Sequence, residues 1–87
     1  MPRYYFHTEN GDRIRDDQGE ELAGVEAARE EAVTVLGEIL RYRGASFWDT
    51  GSFSVIVTDD GGRTVVCVTA AASEEPPQGR PASGAGR

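Results

Sequence analysis

The chain has 87 residues and a formal net charge of −6, so it has room for one small domain with an acidic surface. An acidic surface repels phosphate backbones, so we do not expect binding to nucleic acid or to anionic membranes. A single cysteine, Cys67, excludes an intrachain disulfide and suits a reducing compartment.

The opening segment predicts a strand that belongs to the core. Residues 3–8 alternate between two faces, the period of two that a half-buried strand needs, with Tyr4 and Phe6 on one face and Tyr5 and His7 on the other. Asn10-Gly11 follows, and this dipeptide readily adopts the positive φ angles of a tight hairpin turn. The returning segment, residues 13–16, has Ile14 as its single apolar residue, which predicts a short edge strand.

From residue 25 the apolar period changes to three and four, which predicts an amphipathic helix. The apolar stripe consists of Val25, Ala28, Ala32, Val35, Leu36, Ile39 and Leu40. Glutamates near the start and arginines near the end complement the helix dipole, and Gly44 is expected to end the helix with a positive φ. Gly37, inside the helix, costs about 1 kcal/mol relative to alanine, and close packing is expected to compensate.

The second half of the chain predicts another hairpin. Two β-branched runs, residues 53–57 and 63–69, flank the Gly-rich turn at residues 59–62. Cys67 lies in the second run and is expected to be a small buried hydrophobe. Phe47 and Trp48, in the connection before the hairpin, are expected to cover one end of the core, and the alternative is an exposed binding surface.

These elements predict an α+β fold of about four antiparallel strands, in the order β-β-α-β-β, with one amphipathic helix packed on one sheet face. Residues 1–70 form the predicted domain. Residues 71–87 are rich in proline, glycine and serine and are expected to be disordered. The predicted core under the helix consists of Tyr4, Phe6, Leu22, Phe53, Val55 and Val57.

One helix leaves the other sheet face uncovered. The residues predicted on this open face are Tyr5, His7, Ser54 and Ile56. A mixed aromatic and aliphatic face is suited to contact with a second copy or with another protein. The alternative is a solvated face, which antiparallel sheets tolerate.

Candidate catalytic residues are few. His7 is the only histidine, and a nucleophilic site needs a hydroxyl or thiol within hydrogen-bond reach and a carboxylate behind the ring. The alternative is a strand histidine that satisfies a backbone group. The acidic residues around the first hairpin, Asp16 among them, lack the spacing of a calcium loop and are expected to lie in a solvated turn. The chain has no histidine or cysteine pair for zinc. We therefore predict no catalytic, cofactor-binding or metal-binding residues.

Four segments in order carry a family resemblance: residues 2–7, 16–22, 26–32 and 55–63. Together they resemble a family of short bacterial proteins classed as a domain of unknown function, typically opening Pro-Arg-Tyr-Phe-Phe-His. The chain departs from that pattern at Gly24, where members often carry an aspartate before the helix. The resemblance covers roughly residues 2–69 and implies no activity. A looser similarity to HicB-like antitoxin domains, which join a short aromatic strand to a sheet with a packed helix, implies a basic protein partner.

The sequence thus predicts a small, acidic, non-enzymatic interaction or regulatory module that acts through its exposed sheet face or as a homodimer. An antitoxin-like binder of a basic protein and a small enzyme using His7 are the alternatives. The chain has no signal peptide and no apolar run that spans a membrane, so the expected location is the cytoplasm.

Overall fold

A computed structural model describes residues 1–74 of the chain. Across these residues five strands form one antiparallel sheet and two helices connect its halves. The elements are β1 (Arg3–Glu9), β2 (Arg13–Ile14), β3 (Glu20–Glu21), α1 (Val25–Tyr42), α2 (Gly44–Thr50), β4 (Ser52–Thr58) and β5 (Thr64–Ala71). The predicted α+β class and antiparallel sheet are confirmed. The two-residue strand β3 and the short helix α2 are additions to the predicted order.

The strands lie in the order β2-β1-β4-β5, and β3 pairs with the first residues of β1. In the centre of the sheet, His7 of β1 lies opposite Ile56 of β4, and Ile56 lies opposite Cys67 of β5. The long strands β1 and β4 are therefore interior, whereas β5, also long, forms one edge. A register shift after Val57 leaves Val65 as an extra residue in β5.

Both predicted hairpin turns are confirmed. Gly11, between β1 and β2, has φ 104°, and Gly62, between β4 and β5, has φ 84°. The Asp59 side chain accepts backbone N–H bonds from Gly61 and Arg63, both at 2.9 Å, which holds the second turn.

Helix α1 packs on one sheet face through small residues. Ala28 and Ala32 are fully buried against Tyr4, Val55 and Val57. Partly buried apolar residues complete this core: Phe6, Leu22, Val35, Leu36, Ile39, Val65, Val66 and Val68. Most of the predicted helix stripe and sheet core is therefore correct, whereas Val25, at the start of the stripe, is exposed.

The predictions at three positions around the helices are wrong. Arg43, with φ −126°, ends α1, and Gly44 instead begins α2, whose left-handed terminal residue is Gly51 with φ 78°. Of the residues that the structure describes, none would lie within 4 Å of a Cβ at Gly37, so their packing does not explain that glycine. Trp48 is 59% exposed and touches Phe47 edge-on with 6.0 Å between ring centroids, so it does not cover the core.

Cys67 is exposed, which contradicts the predicted burial. The reason is its place on the edge strand β5, where the neighbouring Val66 and Val68 are the residues that pack towards the core. Beyond the predicted domain boundary at residue 70, β5 continues through Ala71, and the Ala72 N–H donates to the Gly51 carbonyl at 2.9 Å. Residues 75–87 of the predicted tail lie outside the described residues. Neither helix of the described chain has the length and apolar character needed to cross a bilayer.

Candidate functional site

The histidine singled out by sequence lies in the middle of β1, on the sheet face that points away from α1. We call this the open face. His7 pairs across the sheet with Ile56 of β4, and its side chain is buried, with 7% of its surface exposed. The segment that follows β2 covers it, because the Asp16 backbone lies within hydrogen-bond distance of the ring.

The hydrogen bonds of His7 define its tautomer. The Asp16 backbone N–H donates to Nδ1 at 3.0 Å, so Nδ1 carries a lone pair and no proton. In the neutral ring the proton is then on Nε2, which donates to Thr58 Oγ1 at 3.0 Å. Both ring nitrogens are therefore engaged by groups of the fold.

The Asp16 side chain closes a gap in the sheet. Strand β1 pairs with β2 at Thr8 and with β3 at Tyr4, and between them no strand of the described part of the chain pairs with the outer side of Phe6. Asp16 Oδ2 accepts the Phe6 N–H at 3.0 Å in place of a strand carbonyl. Its Oδ1 accepts the N–H groups of Gln18 and Gly19 at 3.0 and 3.1 Å, which holds the loop against β1.

Gly19 allows this loop to lie directly on the strand. Its φ is 71°, and a Cβ there would come within 2.9 Å of the Tyr4 carbonyl oxygen and of the Tyr5 ring. Any other residue would combine an unfavourable left-handed backbone with a clash against the strand. Arg3 adds a hydrogen bond of 2.7 Å to the Gln18 carbonyl and an exposed ion pair with Glu21. Asp16 and Gly19, three residues apart, thus allow the loop to cover the outer edge of β1 beside Phe6.

The electrostatics of this cluster favour a neutral histidine and an ionised aspartate. Burial, followed by the nearby positive charges of Arg13 and Arg15, lowers the pKa of His7 below its ordinary value of 6.5. Burial alone would raise the pKa of Asp16, but hydrogen bonds from the Phe6, Gly19 and Gln18 N–H groups outweigh it and lower that pKa below 3.8.

Aspartate, histidine and threonine are the residue types of a nucleophilic relay, but their polarity here is the reverse of one. In such a relay a carboxylate accepts from Nδ1–H, and Nε2 accepts the proton of the nucleophile. In this cluster Nδ1 accepts from a backbone amide and Nε2–H donates to the threonine hydroxyl. The arrangement orients and stabilises β1, the loop and β4, and it does not remove a proton from Thr58.

The structure brings the four residues predicted on the open face together there. Ile56 lies opposite His7 and is 8% exposed, whereas Tyr5 and Ser54 are half-buried. The Tyr5 hydroxyl donates to Asp60 Oδ1 at 3.2 Å, and desolvation together with the Asp60 carboxylate raises the pKa of Tyr5 above 10.0. Ser54 shares a hydrogen bond of 2.8 Å with Thr69 of β5. His7 and Ile56 therefore present little surface to a partner.

Sequence reasoning missed two members of the His7 cluster, Asp16 and Thr58. Asp16 was placed with the acidic residues of a solvated turn, and the signal that marks it is the glycine three residues later. Thr58 has no local signal, since only the register of β1 against β4 brings it beside His7. Within residues 1–74 no three histidine, cysteine, aspartate or glutamate side chains are arranged to hold a metal ion.

A known family model matches the region that contains Tyr5-Phe6-His7 of β1 and the loop from Asp16 to Gly19 that covers it. The model is that of the domain of unknown function DUF6894, and it matches residues 3–72. The chain belongs to the DUF6894 family. The match covers every strand and helix described above, so the fold is that of a DUF6894 domain. The comparisons with curated proteins and with solved structures gave no match.

Proposed function

We propose that this DUF6894 domain is a small non-enzymatic interaction module. It acts through an exposed part of its sheet, either by binding another protein or by forming a homodimer. The observation that carries this proposal is the engagement of both nitrogens of the single histidine by Asp16 N–H and Thr58 Oγ1. General-base chemistry needs a ring nitrogen with a free lone pair, and here that lone pair already accepts a backbone hydrogen bond. We therefore assign His7 a structural role, in which its ring connects β1 to the loop and to β4.

The size of the core supports the same proposal. Among the described residues the buried apolar side chains number seven, and two of them, Ala28 and Ala32, are alanines. A domain of this size gains only about 3–5 kcal/mol from such a core, so association with another chain is a common source of further stability.

A basic protein partner, as in an antitoxin-like binder, is the second candidate. The net charge of −6 favours it, because opposite charge accelerates association and excludes acidic competitors. A cytoplasmic location suits either candidate, and the single cysteine agrees with it.

The test is the apparent mass of the chain in gently lysed cells of its native host, measured by size-exclusion chromatography after mild cross-linking. We expect the chain to elute in an assembly larger than its 9.4 kDa monomer. Elution of all of the chain as a monomer would contradict the proposal.

A His7→Gln variant separates interaction from catalysis. We expect this variant, once shown to be folded by circular dichroism, to enter the same assembly as the unmodified chain. Native-host cells that carry the variant in place of the unmodified chain should grow equally well. A folded His7→Gln chain that assembles normally but fails in the cell would instead indicate a chemical role for the ring.

A further inference from the structure

The two edges of the sheet differ in how their outward backbone groups are hydrogen-bonded. The outer side of β1 is closed in three pieces: β2 pairs at Thr8, the Asp16 carboxylate accepts from Phe6, and β3 pairs at Tyr4. The strand at that side, β2, has only two residues, one of them Arg13. Short strands and charged side chains are the usual protection of a sheet edge against further pairing.

The opposite side of the sheet has no such protection among the residues that the structure describes. Strand β5 has eight residues, Thr64–Ala71, and its sequence TVVCVTAA contains no charge and no proline. Within residues 1–74 its one partner strand is β4. A long, uncharged edge strand is a template for pairing with another strand.

The direction of the backbone groups in β5 follows from its ladder with β4. Ala72 N–H donates to the Gly51 carbonyl, so this pair is hydrogen-bonded, and antiparallel pairs alternate from there. Val66, Val68 and Ala70 therefore bond to β4. Cys67 and Thr69 direct their N–H and C=O groups away from the sheet, towards any strand that approaches this edge.

A groove beside β5 provides space for the side chains of an added strand. Its volume is about 750 Å³, and it is lined by Glu26, Glu30 and Val33 of α1 and by Val66, Cys67 and Val68 of β5. On the helix side Val33 is 61% exposed although it is apolar. An added strand would cover Val33 with its helix-facing side chains, so those side chains should be apolar. Its opposite face would continue the exposed side of β5 formed by Cys67 and Thr69, so small polar side chains suit that face.

We infer that the occupant of this edge is strand β5 of a second copy, paired antiparallel about a two-fold axis. This inference rests on the proposed function and names its partner. Strand β5 itself has the required pattern, with Val66 and Val68 on the helix side and Cys67 and Thr69 on the other. Since the described residues leave only this long edge open, the contact is isologous and closes at a dimer.

The charges at the rim of the groove are compatible with a second copy. Each helix presents Glu26 and Glu30 beside Arg29, so each copy supplies both signs to the other. The net charge of −6 on each chain opposes association at low salt. At physiological ionic strength the screening length is about 8 Å, so the contacts at the edge outweigh more distant repulsion.

The first test is sedimentation velocity of the full chain across a wide concentration range at physiological salt. We expect the mass to rise from the 9.4 kDa monomer to twice that value and to stop there. Thr69→Pro removes an outward N–H without touching the β4 ladder, and we expect it to weaken the dimer on the order of tenfold or more. Thr69→Val is the matched control, because it keeps the backbone N–H and loses only the hydroxyl, and we expect it to dimerise normally.

Ser54→Lys distinguishes the edge from the open face. Ser54 lies opposite Thr69 on the interior strand β4 and shares a side-chain hydrogen bond with it. A lysine there alters the open face and removes that bond, but it leaves the outward backbone N–H and C=O groups of β5 in place. Dimerisation lost in Ser54→Lys and kept in Thr69→Pro would overturn the edge contact and still agree with an interaction module. A purified chain that is monomeric at every concentration would also overturn it, and the mass in native cells would then decide the proposed function separately.

Cross-linking of the unmodified chain provides a measurement that needs no folded variant. Cys67 is exposed and central in β5, so in a two-fold antiparallel pair the two Cys67 side chains lie close together. A short bismaleimide should convert the dimer into a covalent dimer in high yield. A chain that sediments as a dimer but gives no such product would contradict pairing through β5.

Discussion

Replacement of Asp16 by alanine should lower the free energy of unfolding by about 3 kcal/mol. A hydrogen bond to a charged group contributes about 1.5–3 kcal/mol, and the Asp16 carboxylate accepts three. The three do not add fully, because the N–H groups of the exposed Gln18 and its neighbour Gly19 can bond to water after the substitution. The Phe6 N–H is partly buried at the gap in the sheet and loses its partner, so it accounts for most of the cost.

The assay is urea unfolding followed by far-ultraviolet circular dichroism. A core of this size supplies about 3–5 kcal/mol, so a loss of about 3 kcal/mol moves the unfolding midpoint far towards low urea. Asp17→Ala is the matched control. Asp17 is exposed and makes no side-chain hydrogen bond with other described residues, so its removal should change stability by less than about 0.5 kcal/mol.

Asp16→Asn adds a graded step to this comparison. It keeps one acceptor oxygen but loses the charge, so its cost should fall between those of the alanine variant and the Asp17 control. A loss below about 1 kcal/mol in Asp16→Ala, or equal losses in Asp16→Ala and Asp17→Ala, would refute the argument that this carboxylate seals the edge of β1.

Three further predictions concern the glycines and the histidine. Gly19→Ala should lower the free energy of unfolding by about 2–4 kcal/mol in the same urea assay, because its Cβ would lie 2.9 Å from the Tyr4 carbonyl oxygen at a φ of 71°. Gly37→Ala should raise the free energy of unfolding by about 0.5–1 kcal/mol, because that glycine is inside α1 and no described residue lies near the new methyl group. Acidification below pH 6.5 should destabilise the unmodified chain more than His7→Gln, as measured by urea midpoints at a series of pH values.

The sign of the last prediction follows from the lowered pKa of His7. The folded state favours the neutral ring, so the contribution to stability is fully present above pH 6.5 and is lost as the pH falls towards the folded pKa. The pKa of Asp16 is also lowered, so its contribution to stability is fully present above pH 3.8 and is lost as the pH falls below that value. Parallel pH profiles for the unmodified chain and His7→Gln would contradict the structural role of the ring, and an unfavourable Gly37→Ala would show that α1 needs its glycine.

Periodicity in the sequence was sufficient to predict the long elements. The alternation at residues 3–8 and the stripe from residue 25 correspond to β1 and α1, because the burial of one face produced both patterns. Strand β3 has no such pattern. Its two glutamates are held by pairing with Arg3 and Tyr4 and by the Leu22 N–H bond to the Pro2 carbonyl, all of which are long-range contacts.

The site residues were harder to predict, because their roles depend on the order of the strands. Cys67 looks like a core residue in its β-branched run, and only its place on an edge strand exposes it. Thr58 meets His7 through the register of β1 against β4, which local patterns do not encode. Asp16 was within reach of sequence reasoning, since a glycine three residues after an aspartate is a turn signal with a capping side chain.

The most direct test of pairing through β5 is amide hydrogen exchange of the full chain, measured residue by residue by nuclear magnetic resonance at several protein concentrations. The outward amides of Cys67 and Thr69 should exchange quickly at low concentration and become protected as the dimer forms, while the Val66 and Val68 amides, bonded to β4, stay protected throughout. Rapid exchange at Cys67 and Thr69 in a sample that is fully dimeric would contradict the account. Protection of the same two amides in a monomer would do so as well, because the edge would then be covered by the chain itself.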